Sequence, residues 1–283
     1  AEGCELKKVV KPKERREAAL YLAEKHKVPR ARSSRLLGLN LSTLSYKPAI
    51  KDDSILSAKI KQLAGKHRRF GHPRLFVVLK KEKHEVNHKK SHRVYKELGL
   101  QIGKRKRKKL GTYNRLPPTQ ATETDQVWAI DFMFDYLETG RRLKVLNIVD
   151  EFSKISPGVL VDHSIRGTDV TNYLDHVAGG KYPKIIRVDQ GTEFTSRAIL
   201  DWAYAHKITL EFTKVRKPNQ VIESFNSRVR DECLNEHVFF DLSDAREKIE
   251  TWHWDYNNFN PHSSLGMKSP IEFAKERQKM LAS

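Results

Sequence analysis

Along the first hundred residues the apolar positions recur at helical intervals, and beyond residue 125 they gather into short strand-like runs. Residues 13–26 predict a helix broken by Pro29, residues 33–37 a second ended by Gly38, and residues 40–46 a third stopped by Pro48. Residues 53–66 predict a further helix, followed by a turn over 70–74 and a helix through 75–79. Residues 87–100 predict a basic amphipathic helix with a glycine stop at Gly99. The period then changes. Strands are expected over 128–134, 142–150, 155–161, 185–188 and 208–212, with helices over 169–177 and 194–206 and a hairpin turn at Thr139-Gly140. Three antiparallel strands followed by alternating helix and strand predict an α/β fold, a mixed five-stranded sheet covered by helices. Helical patterns dominate again from Glu223 to the end.

Charge divides the chain at nearly the same place. Lys and Arg number 54 against 35 Asp and Glu, a net +19. Residues 1–120 hold 33 basic and 10 acidic side chains, and the remainder is close to neutral. That asymmetry predicts a polyanion-binding N-terminal part joined to a separate catalytic or interaction part. Nucleic acid is the expected polyanion, because such affinity comes from neutralising phosphates and releasing counterions. A membrane surface is excluded by the lack of a long apolar segment, signal peptide or lipidation motif. Two cysteines, Cys4 and Cys233, and no Cys/His cluster at zinc spacing argue for a reducing, cytoplasmic compartment and against a zinc finger.

Four segments follow. Residues 1–50 form an all-α region whose three helices, with a glycine turn before the last, resemble a helix-turn-helix. Its last helix offers Asn40, Ser42, Thr43 and Ser45 to a DNA groove; a packing or dimerisation module would use the same helices. Residues 51–103 form a second basic helical region, with Arg74, Lys89 and Lys90 as candidate duplex contacts. Residues 104–120 read as a linker that opens with six consecutive cations, Lys104, Arg105, Lys106, Arg107, Lys108 and Lys109, and ends near Pro117-Pro118. Phosphate binding is the expected role of this run; a nuclear import signal is the alternative for a eukaryotic source. Residues 121–283 hold the main core.

Within that core three acidic residues stand beside apolar stretches. Asp131 interrupts the first predicted strand, Asp189 ends the fourth and runs into Gln190-Gly191, and Glu223 opens a helical pattern. The first strand and the one after the first core helix can be neighbours in a mixed sheet, which would bring Asp131 and Asp189 together. Taken singly, each acid is explained as a strand-end cap or surface residue. Taken together they would repel one another unless a hard cation sat among them. Two such ions roughly 3.5–4 Å apart suit phosphodiester chemistry.

The ordered segments Trp128-Ala129-Ile130-Asp131-Phe132, Val145 to Ser153, Asp189-Gln190-Gly191-Thr192-Glu193-Phe194-Thr195-Ser196, Ile222 to Asn235 and Asn260-Pro261-His262-Ser263-Ser264-Leu265-Gly266 resemble the integrase-type core of bacterial insertion-sequence DDE transposases, OrfB type. Arg35-Leu36-Leu37-Gly38-Leu39 and Phe70-Gly71-His72-Pro73-Arg74 extend the resemblance over nearly the whole chain. It implies a ribonuclease-H-like core in which Asp131, Asp189 and Glu223 bind two Mg2+ ions, with Mn2+ as substitute. It also implies cleavage of a strand by water and attack of a DNA 3′-hydroxyl on a second phosphodiester. Arg230 would then contact DNA beside the active site, or else pair with an acidic neighbour on its own helix; Arg228 and Lys217 are further DNA-contact candidates. The sequence departs from the family in three places. Only 33 residues separate Asp189 from Glu223, about two fewer than the family pattern, with the gap near 217–222. Val188 and Gln190 replace a small polar residue and Asn, and Asn260 and Met267 replace Arg and Tyr.

The expected function is therefore a bacterial, nucleoid-associated DNA transposase that acts on double-stranded element ends and target. A homo-oligomer is expected, since joining two ends needs two sites. Ala1 to Glu5 reads as the middle of something longer, so an upstream-frame partner segment is also expected. The shortened loop favours one alternative, a catalytically impaired DNA-binding regulator; a nuclease of the same fold that cuts without joining is the other.

Overall fold

In the computed structural model of the chain, the described residues are 12–46, 52–103, 120–213 and 219–282. They fall into two compact units, Ala1–Asp53 and Ser54–Ser283.

The first unit contains helices α1 (Pro12–Lys25), α2 (Arg30–Leu36) and α3 (Leu41–Ser45). Asn40 starts α3 by accepting the Ser42 N–H at 3.3 Å, a cap that leaves Ser42 exposed and Thr43 half-buried.

The second unit opens with α4 (Ser54–Lys66), α5 (His72–Lys81) and α6 (His88–Glu97), which enclose Ile60, Leu63, Phe70, Leu75, Val78, Leu79, Val94 and Tyr95. α5 begins inside the predicted 70–74 turn. Pro73 sits in its first turn, where a missing N–H costs nothing, and Gly71 is the residue before it. These helices pack on the rest of the unit: Arg74 pairs with Glu232 at 2.6 Å, Lys81 with Glu272 at 2.7 Å, and Phe259 joins their apolar cluster.

Five strands follow, β1 (Val127–Tyr136), β2 (Arg142–Asp150), β3 (Gly158–Asp162), β4 (Ile185–Val188) and β5 (Thr209–Phe212), in the order β3-β2-β1-β4-β5. β1, β2 and β3 are antiparallel, whereas β4 and β5 run parallel to β1. β3 starts later than its apolar run predicts, because the preceding residues bond elsewhere: Asp150 N–H donates to the Ile155 carbonyl, and Ser156 N–H to Asn257 Oδ1. Gly158 must be a glycine, since a Cβ there would lie 2.5 Å from the Tyr173 hydroxyl.

Alternation along β1 settles the two faces. Trp128 and Ile130 join Leu146, Ile148 and Ile186 beneath α7 (Gly167–Ala178) and α8 (Arg197–Ala205). Ala129 and Met133 join Val145 and Val149 beneath α9 (Gln220–Glu232) and α10 (Leu242–Asn258). α8 is shorter than its apolar pattern predicts, because residues 191–195 form a turn that buries Phe194 against Phe132. A last helix, α11 (Pro270–Ala282), packs on α10. Among the described residues no helix is long and apolar enough to cross a membrane.

Candidate active site

Asp131 falls between Ala129 and Met133 on β1, so it faces α9. The parallel register pairs Val127 with Ile185 and Ala129 with Arg187, and two residues further on come Asp131 and Asp189. Glu223 lies in the first turn of α9, which the sequence predicts to open at Glu223 itself and which starts at Gln220. Three distant segments thus bring Asp189 and Glu223 within electrostatic range of Asp131.

The Asp131 carboxyl shows that they meet electrostatically. It is pushed up to about 6, first by burial and further by the Asp189 and Glu223 carboxylates, against the opposing hydrogen bond from Phe132 N–H. Its second oxygen accepts from Asn226 Nδ2 at 2.7 Å. Asn226 stands one helical turn after Glu223, and its own oxygen accepts from Asn147 Nδ2 at 2.7 Å. Asn147 is fully buried in β2 opposite Asp131, and its Oδ1 has no hydrogen-bond partner among the described residues. Glu223 is exposed, with its carboxyl raised by partial burial. Asp189 is exposed and accepts the Gly191 N–H at 2.9 Å; a Cβ on Gly191 would lie at that same distance from Asp189 Oδ1. Even so, among the described residues no three acidic, histidine or cysteine side chains converge tightly enough to hold a metal ion as they stand.

A fourth nearby acid is already neutralised. Glu193 pairs at 2.6 Å with the buried Lys144, which holds its carboxyl below the ordinary range. Lys144 also lies 4.0 Å over the Phe132 ring.

The polar residues that fix this frame carry no signal in spacing alone. Arg187, two residues before Asp189, is buried and reaches Glu151 at 2.5 Å and Glu211 at 2.7 Å. Glu151 in turn accepts from Asn219 Nδ2 at 2.9 Å. Asn219 uses its oxygen to accept the Val221 N–H at 3.1 Å, so one amide both caps α9 and ties its start to the end of β2. Asn226 was findable, as the polar residue one turn beyond Glu223; Arg187 and Glu151 were not, because their pairing is long-range.

The cationic candidates are dispersed. Arg230 pairs with Asp135 at 3.2 Å and donates to the Phe134 carbonyl at 2.6 Å, so its partners lie on β1 rather than on its own helix. Arg228 turns away from the three acids toward His262, at 3.0 Å. Arg74 is engaged by Glu232 and lies 4.9 Å over the Phe70 ring. Lys89 and Lys90 are exposed on α6. Lys104 to Lys109 and Lys217 lie outside the described residues.

A mixed sheet in this order, flanked by helices on both faces, with one acid within β1 and another just past the end of the adjacent β4, is the ribonuclease-H-like architecture of polynucleotidyl transferase cores. One chain of the cryo-EM structure of a simian T-cell lymphotropic virus intasome in complex with PP2A regulatory subunit B56 gamma shares this fold, with TM-score 0.50 and 14% identity, over 76% of this chain and 74% of that one. Residues 121–218 and 206–270 match two Integrase core domain families, and residues 51–109 match an HTH-like domain family. The HTH-like match thus covers α4 to α6, the second basic helical region.

The sequence is 42% identical over 262 residues to the uncharacterized 31.7 kDa protein of insertion element IS407 from Burkholderia multivorans, covering 91% of this chain and 94% of the relative. It is 40% identical to the uncharacterized 39.2 kDa protein of insertion element IS476 from Xanthomonas euvesicatoria, over 97% of this chain and 80% of that protein. The putative transposase InsK of IS150 from Escherichia coli K12 is 22% identical over 74% of this chain and 78% of its own length. The chain belongs to the insertion-sequence transposases of the OrfB type.

Proposed function

We propose that this chain cleaves and joins the ends of a DNA element by metal-dependent phosphodiester hydrolysis and strand transfer, with Asp131, Asp189 and Glu223 as the catalytic and metal-binding residues. The observation that carries this reading is the Asp131 carboxyl, whose proton affinity is raised by burial and by both other acids. A site that resists its own negative charge fits a divalent cation, and the buried Asn147 Oδ1 beside it offers one more oxygen for a hydrated ion. Two Mg2+ ions, or Mn2+ in their place, are the expected cofactor; bound there, they would supply Lewis acidity toward phosphate oxygens. Asn226 orients Asp131, Asn219 fixes where the Glu223 helix begins, and the basic helices of 51–103 with the run at 104–109 hold duplex DNA. An assembly of several copies would place two such sites on two ends.

Calorimetric titration of the full chain with Mn2+, paired with a nicking and joining assay on end-containing duplex, tests this. Wild type should bind the ion, nick and join; Asp131→Asn should do none of these while still binding DNA. Ion-independent cleavage, or no cleavage by wild type, would sink the reading. A second reading, a DNA-binding regulator with an impaired core, draws on the looseness of the three acids and on Asn226 occupying an Asp131 oxygen. It expects DNA binding with no ion uptake.

A further inference from the structure

A quarter-turn around α9 from Glu223, Asn226 and Arg230 lies a second stripe, Gln220, Ser224 and Arg228, spaced one turn apart. It borders a cavity of about 200 Å³ that has no role in the chemistry above. Val149, Phe225, Tyr256 and His262 form the buried floor and walls, and the exposed Gln220, Ser224 and Ser264 form a polar rim open to solvent. Two cations line it, Arg228 from α9 and Lys154 from the turn after β2.

Neither cation has a carboxylate partner within ion-pair distance among the described residues. Arg228 lies 3.0 Å from His262 Nε2 and 6.0 Å from the centre of the Tyr256 ring; Lys154 donates to the Glu151 carbonyl. The nearby acids are committed elsewhere. Glu232 holds Arg74 at 2.6 Å, Glu151 holds Arg187 and Asn219, and Asp150 accepts from Ser153 and from Asp125 N–H. Arg74, paired with Glu232, lies nearby, and His262 is held neutral by burial and by Arg228, Arg74 and Lys154. Glu232 acts on Arg228, and Glu151 and Asp150 on Lys154, only from beyond ion-pair distance, so two half-buried cations facing one cavity without a contact partner carry a desolvation cost that a bound anion would offset.

We propose that this cavity is a phosphate-binding pocket, in which Arg228 and Lys154, with Ser224, Ser264 and Gln220 at the rim, hold one phosphodiester of a bound DNA strand beside the active site. Arg228 presents a planar fork of donors and Lys154 a point charge, a pairing suited to a tetrahedral dianion or a phosphodiester monoanion. The assignment to DNA rests on the proposed function; the pocket's affinity for phosphate does not.

The test uses the full chain with Arg228→Gln and Lys154→Gln. In the first arm, inorganic phosphate is titrated at constant ionic strength while the Tm is followed. Wild type should be stabilised by phosphate and both variants should not, and in phosphate-free buffer the variants should melt no lower than wild type, because each removes a half-buried charge that has no contact ion pair. In the second arm, duplex affinity is measured against salt. Each variant should bind roughly tenfold more weakly, as expected for one lost charge-assisted contact, and the slope of log K against log salt should shrink by about 1. If wild type is indifferent to phosphate and the variants melt lower with DNA affinity unchanged, Arg228 and Lys154 are packing residues and the pocket assignment fails. If phosphate binds but duplex affinity and slope do not change, the pocket takes a small anion and the phosphodiester assignment fails. If wild type binds no DNA at all, the proposed function fails while the first arm still judges the pocket; Lys154→Gln serves should Arg228→Gln not fold.

Discussion

Asp131 must be ionised to ligate a cation, and its surroundings oppose that charge. Its folded-state carboxyl is raised to about 6, so the protonated form favours folding. That contribution is fully present below the ordinary carboxyl range and is lost as pH rises through about 6. Asp131→Asn should therefore stabilise the metal-free protein at pH 8, by about 1 kcal/mol after allowing for one lost hydrogen bond, while abolishing Mn2+ uptake; thermal melts with and without Mn2+ check both. For wild type, Mn2+ affinity should rise with pH up to about 6 and then level off, with one proton released per binding event below that value. A pH-independent affinity between pH 5 and 7 would mean that Asp131 is not the titrating ligand.

At the scale of elements, α9 carries Glu223, and its position depends on a single side-chain amide. Asn219 caps the helix with its oxygen and holds Glu151 with its nitrogen. Asn219→Asp keeps a good cap but sets two carboxylates against each other. We expect faster amide hydrogen exchange over 219–224 and weaker Mn2+ binding, with little change in global stability. Adding Glu151→Gln exchanges the donor and acceptor roles at this contact and should slow the hydrogen exchange over 219–224 again, while lowering global stability because the buried Arg187 then keeps only Glu211 of these two carboxylates; simple additivity of the exchange defects would reduce Asn219 to a cap. Across the sheet, β3 lies so close to α7 that Gly158→Ala drives a methyl group into Tyr173 and Val177, and its expected cost is about 1–3 kcal/mol, read as a lower Tm.

Over the whole molecule, the basic helices of 54–103 are built into the same compact unit as the sheet. The half-buried Arg74–Glu232 pair fastens α5 to the end of α9. Removing one partner of a shielded pair leaves the other uncompensated, so Arg74→Ala should lower stability by about 3 kcal/mol. Residues 54–283 should still melt in one calorimetric transition rather than two. Two separate transitions would show that the helices and the core fold independently.

Much of this was legible along the chain. The β4 residues 185–188 stood out as an apolar run leading into Asp189-Gln190-Gly191, the hairpin by Thr139-Gly140, and the three acids by standing together beside apolar stretches in three separate segments. Those features are local: period, turn chemistry and composition act within a few residues, so the sequence alone determined the element types, the charge division and the candidate acids. It could not say that β3 yields its first residues to Asn257, that Arg230 binds Asp135 while Arg228 turns to His262, or that Arg187, Glu151 and Asn219 form one tether. Each of these pairs residues tens of positions apart. Which of several equivalent partners a side chain takes is decided only when sheet register and helix packing bring one of them within hydrogen-bond reach.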